Sequence, residues 1–226
     1  MMSSPTSPVR DARYTRIIRM SELTVEMLRI VQSAFQKQDR SSLGKAERLG
    51  REIHREEKVL MDALITEAEV ATRPASDAAT VFVPMHLERV GDHLESLAGA
   101  ISRMITDGVL FTDRAIREVN SLLEIALELL ECVRDVLHTG NRTLIRHILL
   151  TGWRCEAMAN DFARFHEQRL IEGVCLPRAS SVYLAMIDYL KGIEWHVRQV
   201  GEKLTPTPLH EAEAGHRFPD LGSPVR

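Results

Sequence analysis

Glu88 and Asp92 stand four residues apart in the stretch MHLERVGDHLESLAGA, residues 85–100. Residues at that spacing are neighbours on a helix, so the two carboxylates share one face. Joined by acids from a facing helix, such a pair offers oxygen ligands to a hard divalent cation or to iron. Glu57 is the facing candidate, on an earlier amphipathic stretch, with His54 three residues before it. The spacing equally describes a solvated helix face, since Glu22/Glu26, Glu52/Glu56, Glu124/Glu128 and Glu131/Asp135 repeat it along the chain. His86 and His93 are seven apart on the flank opposite the acids. One helix therefore cannot easily aim its carboxylates and its histidines at the same ion, and His93 reads as a packed or hydrogen-bonded residue.

The element that must hold these groups is an amphipathic helix. At about 100° per residue, Leu87, Val90, Gly91, Leu94, Leu97, Ala98 and Ile101 form one apolar stripe, the face that a bundle helix buries. Gly91 falls inside the stripe without a side chain to pack. A mid-helix glycine costs roughly 1 kcal/mol against alanine, and close approach of another helix is the simplest compensation.

Leu87 to His93 reads LERVGDH, which resembles the Leu-Glu-Arg-Ile-Gly-Asp-His signature of the PhoU family, with Val90 in the place of isoleucine. Members of that family are cytoplasmic all-helical proteins of two three-helix repeats that regulate phosphate uptake and phosphate signalling. The resemblance implies an all-α fold of six long helices in two tandem three-helix bundles. It also implies a metal ion, divalent or iron-type, at Glu88 and Asp92, and a phosphate transporter component or a sensor kinase as the partner; Glu57 and His54 on the earlier stretch equally read as ordinary surface residues. The family pattern usually has Asn and Glu where this chain has Ser96 and Gly99, a departure within the same helix.

Composition bounds the alternatives. With 226 residues, 44% hydrophobic and only 5% aromatic, the chain can bury one sizeable core or two small ones. Its net charge is −3, and Lys and Arg are scattered among Asp and Glu, so nucleic acid is not an expected partner. No run approaches the roughly 20 apolar residues that span a bilayer, and MMSSPTSPVRDAR lacks the apolar core of a secretory signal. Cys132, Cys155 and Cys175 are three, widely spaced and without a CxxC pair; this suits reduced, partly buried thiols and a cytoplasmic location.

In chain order, residues 1–10 are Ser/Pro-rich and expected to be disordered. Apolar spacing predicts helices over about 11–38, 43–71, 77–106, 113–138, 142–172 and 179–204. Ser41 or Ser42 is placed to cap the second helix, Thr72-Arg73-Pro74 to end it, and Ser76 or Asp77 to cap the third. Pro84 inside the third either kinks the helix or moves its start toward the motif. Thr139-Gly140-Asn141 supplies a stop and the next cap. Residues 205–226 form a Pro/Gly/His-rich tail without periodicity. The expected division is a first repeat over 11–108 and a second, degenerate repeat over 109–204.

Setting Leu190 and His196 against Leu87 and His93 tests that repeat. Ile193, Val197 and Val200 keep the apolar positions of Val90, Leu94 and Leu97, while Lys191, Trp195 and Arg198 replace Glu88, Asp92 and Glu95. An ammonium, an indole and a guanidinium do not ligate a divalent cation, so one metal site is expected in the first half and none in the second. Trp153 and Trp195 read as core residues.

Catalysis is not expected. A ferritin-like di-iron centre needs Glu-x-x-His on bundle helices, and that triplet occurs only at Glu213–His216 in the tail. There is no H-E-x-x-H, P-loop or G-x-S-x-G motif. Two non-catalytic readings remain: a PhoU-like regulator with metal in the first repeat, or an adaptor bundle of the same fold whose metal chemistry has decayed and whose partner differs. Apolar outer faces would permit a homodimer.

Overall fold

The computed structural model describes residues 8–70 and 78–205. Six helices account for nearly all of them: α1 Pro8–Lys37, α2 Leu43–Val70, α3 Ala78–Thr106, α4 Asp113–Thr139, α5 Arg142–Ile171 and α6 Pro177–Leu204. Among the described residues all regular structure is helical. Of the disorder expected over residues 1–10 and 205–226, residues 1–7 and 206–226 lie outside them, as do the stop at Thr72-Arg73-Pro74 and the Ser76 or Asp77 cap; residues 8–10 are helical, the first residues of α1, because proline is tolerated in a first helical turn.

Local chemistry sets the helix ends. Thr112 accepts a hydrogen bond from the Ala115 backbone N–H at 3.2 Å and opens α4. Gly140 takes φ +66° and donates its N–H to the Val136 carbonyl at 2.7 Å, which closes the helix. The Asn141 side chain then accepts from Thr143 N–H at 2.9 Å and opens α5. α6 begins at Pro177, two residues earlier than the spacing predicts. Proline suits a first-turn position because the N–H it lacks would have no intrahelical partner there. α3 runs unbroken through Pro84 from Ala78, so a start closer to the motif does not hold.

Each of α1, α2 and α3 packs on the other two, and so does each of α4, α5 and α6; α3 against α6, and α1 against α4, join the two sets. α2 and α5 are therefore the outer helices, while α3 sits between α2 and α6. Every member of the α3 stripe is buried, and Leu87, Val90, Leu94, Leu97 and Ile101 are fully so. This leaves α3 two flanks, one turned to α2 and the other to α6.

Gly91 does meet α2, but with room to spare. A Cβ there would lie 3.5 Å from Ile53 Cγ2, ordinary van der Waals contact. Gly91→Ala is therefore expected to stabilise the fold by about 0.5–1 kcal/mol through helix propensity. A urea midpoint at or below the parent's would show that the contact is tighter than this geometry gives.

Candidate functional site

On the α2 flank, His54 Nδ1 lies 3.1 Å from Glu88 Oε1. Partial burial, and next the charge of Glu88, push the Glu57 carboxyl above its usual range. Glu57, His54 and Glu88 thus share one neighbourhood on this flank. Asp92 differs: its side chain is 49% exposed and accepts from Arg89 Nη1 at 2.9 Å, while Arg89 Nε stands 3.7 Å from Glu88 Oε2.

These donors fit a metal only in part. Neighbouring carboxylates attract a cation. Between Glu88 and Asp92, however, that cation is the Arg89 guanidinium. Among the described residues no group of three or more His, Cys, Asp or Glu side chains is placed to hold a metal ion.

The α6 flank carries what the sequence did not show. His86 Nδ1 and His196 Nδ1 are 3.0 Å apart, and the His93 ring lies 5.5 Å from that of His196, centroid to centroid. Trp195 closes the group edge-on to both His86 and His196. The Nδ1 contact needs one nitrogen protonated and the other bare, so the two rings share it as neutral imidazoles of opposite tautomer. Burial drives all three rings below the usual histidine range. His196, facing His86, His93 and Arg89 as well, is pushed down to about 4. His93 has room for its ring because residue 192 is glycine; a Cβ there would run into the imidazole. Gly192→Ala is expected to cost about 1–3 kcal/mol, the range for overpacking, with the His93 NMR signals displaced; unchanged signals and stability would refute the contact.

Residues 17–101, from α1 through the signature on α3, match the family model of the PhoU domain. This segment is similar to the PhoU domain.

The fold agrees over a longer span. PhoU from Pseudomonas aeruginosa superposes with a TM-score of 0.78 at 13% identity, covering 90% of this chain and 97% of that one. The phosphate transport system regulatory protein PhoU from Streptococcus pneumoniae gives 0.73 at 12% identity, covering 86% and 92%. No curated protein matches the sequence. The chain thus has the PhoU-like fold of six helices, and no helix among the described residues is long and apolar enough to cross a membrane.

Beyond the PhoU domain match, several charged groups on α4–α6 pair among themselves. Arg198 Nε donates to Glu194 at 2.9 Å and its Nη2 to Glu156 at 3.0 Å. Its guanidinium also lies 3.7 Å above the Trp153 ring. Trp153 is 57% exposed and Trp195 44% exposed, so neither is the core residue that its type suggested. Trp153 instead offers its face to a cation, and Trp195 covers the histidines. The expected free thiols are present: Cys132 is half-buried, Cys155 and Cys175 are buried, and burial pushes the Cys155 thiol up to about 12.

The α4–α6 group that sequence reasoning missed is centred on Glu118. It accepts from Arg114 Nε at 2.9 Å, from Arg169 Nη2 at 2.8 Å and from the Tyr183 hydroxyl at 2.6 Å. Only the Arg114 pairing, four residues away, was visible as a helical spacing.

Proposed function

We propose that this protein is a regulator of phosphate uptake or phosphate-starvation signalling that acts in the cytoplasm by binding a phosphate transporter component or a sensor kinase, and performs no catalysis itself. The observation that carries the reading is the match of residues 17–101 to the PhoU domain model, within a PhoU-like fold that extends over 90% of the chain. Two three-helix repeats, over 11–108 and 109–204, are part of the proposal. The mutual packing within α1–α3 and within α4–α6 supports them.

Deletion in the native host tests the regulatory role. Alkaline phosphatase output and phosphate uptake are expected to rise at high phosphate in the deletion strain and to return when the gene is restored. Unchanged output in the deletion strain sinks the reading.

The finer proposal is a metal ion in the first repeat held by Glu88, Glu57 and Asp92, supported by the shared field of Glu57 and Glu88. It requires Asp92 to leave Arg89. The competing reading, an adaptor of the same fold with a decayed site, is favoured by the guanidinium that already stands between Glu88 and Asp92. Metal analysis of the purified protein separates them. Metal present in the parent and lost in the Glu88→Ala, Asp92→Ala double variant supports the site; a metal-free parent after incubation with iron, manganese and zinc removes it.

A further inference from the structure

The α3–α4 and α5–α6 connections meet at one end of the bundle, over a cavity of about 280 Å³. That volume is near the lower end for small-molecule sites. Phe111 and Tyr183 wall the cavity, Leu110, Val174 and Leu176 form its mouth, and His166 also lines it. The mouth residues are strongly exposed, Leu110 at 85%, whereas His166 is 2% exposed.

The hydrogen on that imidazole can be assigned. Arg169 Nη2 lies 3.4 Å from His166 Nδ1, and a guanidinium only donates. Nδ1 is therefore the bare acceptor, and the ring hydrogen sits on Nε2. Burial, with Arg169 beside it, holds the ring below the usual histidine range, so it stays neutral. His166 Nε2 is buried and meets no partner in the protein. An unmet buried donor is costly, and a water or a ligand acceptor would relieve it.

The same wall offers no free charge to an ionic head group. Glu118 is already engaged by Arg114, Arg169 and Tyr183, and the Tyr183 ring stacks on His166 with centroids 4.3 Å apart. What remains is a largely apolar chamber in which, among the lining residues, His166 Nε2 is the buried side-chain nitrogen without a partner.

We propose that this cavity binds an uncharged small molecule with a short aliphatic chain and one acceptor oxygen, the oxygen held by His166 Nε2–H and the chain lying between Phe111 and the Leu110, Val174 and Leu176 mouth. The test uses the full chain labelled with ¹⁵N-histidine and titrated with 2-octanone as the probe. The His166 Nε2–H resonance is expected to shift saturably while the ring signals of His196 do not move. n-Octylammonium, which donates but cannot accept, is expected to bind at least ten-fold more weakly. His166→Phe is expected to abolish that preference, and Ala179→Trp, which fills the chamber, to abolish binding. No saturable shift up to the solubility limit of the ketone means that the cavity holds water only and overturns the proposal. Equal binding of the two probes to the parent, or undiminished binding to a folded Ala179→Trp variant, overturns it as well.

Discussion

Replacing Glu118 with alanine is expected to cost about 3–5 kcal/mol of folding stability, the range for breaking a buried ion pair from one side. The Glu118 side chain is 6% exposed and that of Arg169 12%, so the guanidinium left behind has little water to turn to. Its Nη1 and Nη2 both donate to Glu118, at 3.2 and 2.8 Å, and the Tyr183 hydroxyl loses its acceptor at the same time. Tyr183→Phe removes one hydrogen bond and keeps the packing, so it is expected to cost only about 1 kcal/mol. By contrast, removing Asp161 from its exposed pair with Arg164 is expected to change stability by less than about 1 kcal/mol. Urea denaturation of the three variants tests this order. A Glu118→Ala loss no larger than that of the Asp161 variant would mean that the network is solvated and unimportant. Burial alone would raise the Glu118 carboxyl, but hydrogen bonds from Arg169, Tyr183 and Arg114 outweigh it and hold the group below its usual range. Its contribution is accordingly complete above the ordinary glutamate value of 4.5 and is lost as pH falls through the lower, folded value.

The histidine group between α3 and α6 is expected to act in a different pH window. The folded protein holds His86, His93 and His196 neutral below the ordinary value of 6.5, His196 down to about 4. Between those two values the unfolded chain binds protons that the folded chain refuses, so stability falls as pH drops from 6.5 toward 4 and levels off below. For His196 alone the fall is about 3 kcal/mol, at roughly 1.4 kcal/mol for each tenfold loss of proton affinity. Above pH 6.5 both states are neutral and the effect vanishes. Urea midpoints measured from about pH 7.5 to 4 in the parent and in His196→Phe check this. The variant is expected to lose about one proton's worth of slope in that interval. Identical slopes would mean that His196 titrates as it does in water. Protonation of both rings also breaks the shared Nδ1 contact between His86 and His196, since two imidazolium rings offer each other no acceptor.

These two groups differ in how far the sequence could reveal them. The apolar stripe of α3 was legible because burial on a helix repeats with the helical turn, and each residue of LERVGDHLESLAGAI could be assigned a face by counting. The resemblance to the PhoU signature singled out Glu88 and Asp92, and Glu57 could be named only as a candidate on the preceding helix, because spacing says which residues share a face but not which face of another helix it meets. Asp92 was misjudged in part, since spacing cannot say that Arg89 reaches it first. The histidines are a different case. His86 and His93 were placed on the flank away from the acids, but their partner His196 lies 110 residues beyond His86, and nothing local to either helix marks the pairing. Trp153 and Trp195 were misplaced because residue type predicts burial on average, while a large aromatic ring is also favoured as a half-exposed cover or a platform for a cation.

By itself the sequence determined that this chain forms long amphipathic helices, roughly where each begins and ends, and which stripe of α3 faces inward, because these follow from helical periodicity and from capping residues within a few positions of one another. Only the tertiary structure decided which flank meets which neighbour. Arg169 and Tyr183 converge on Glu118 from α5 and α6, and His196 meets His86 from across the bundle, because packing joins positions that have no relation along the chain. Burial then fixes the charge state that each of them keeps.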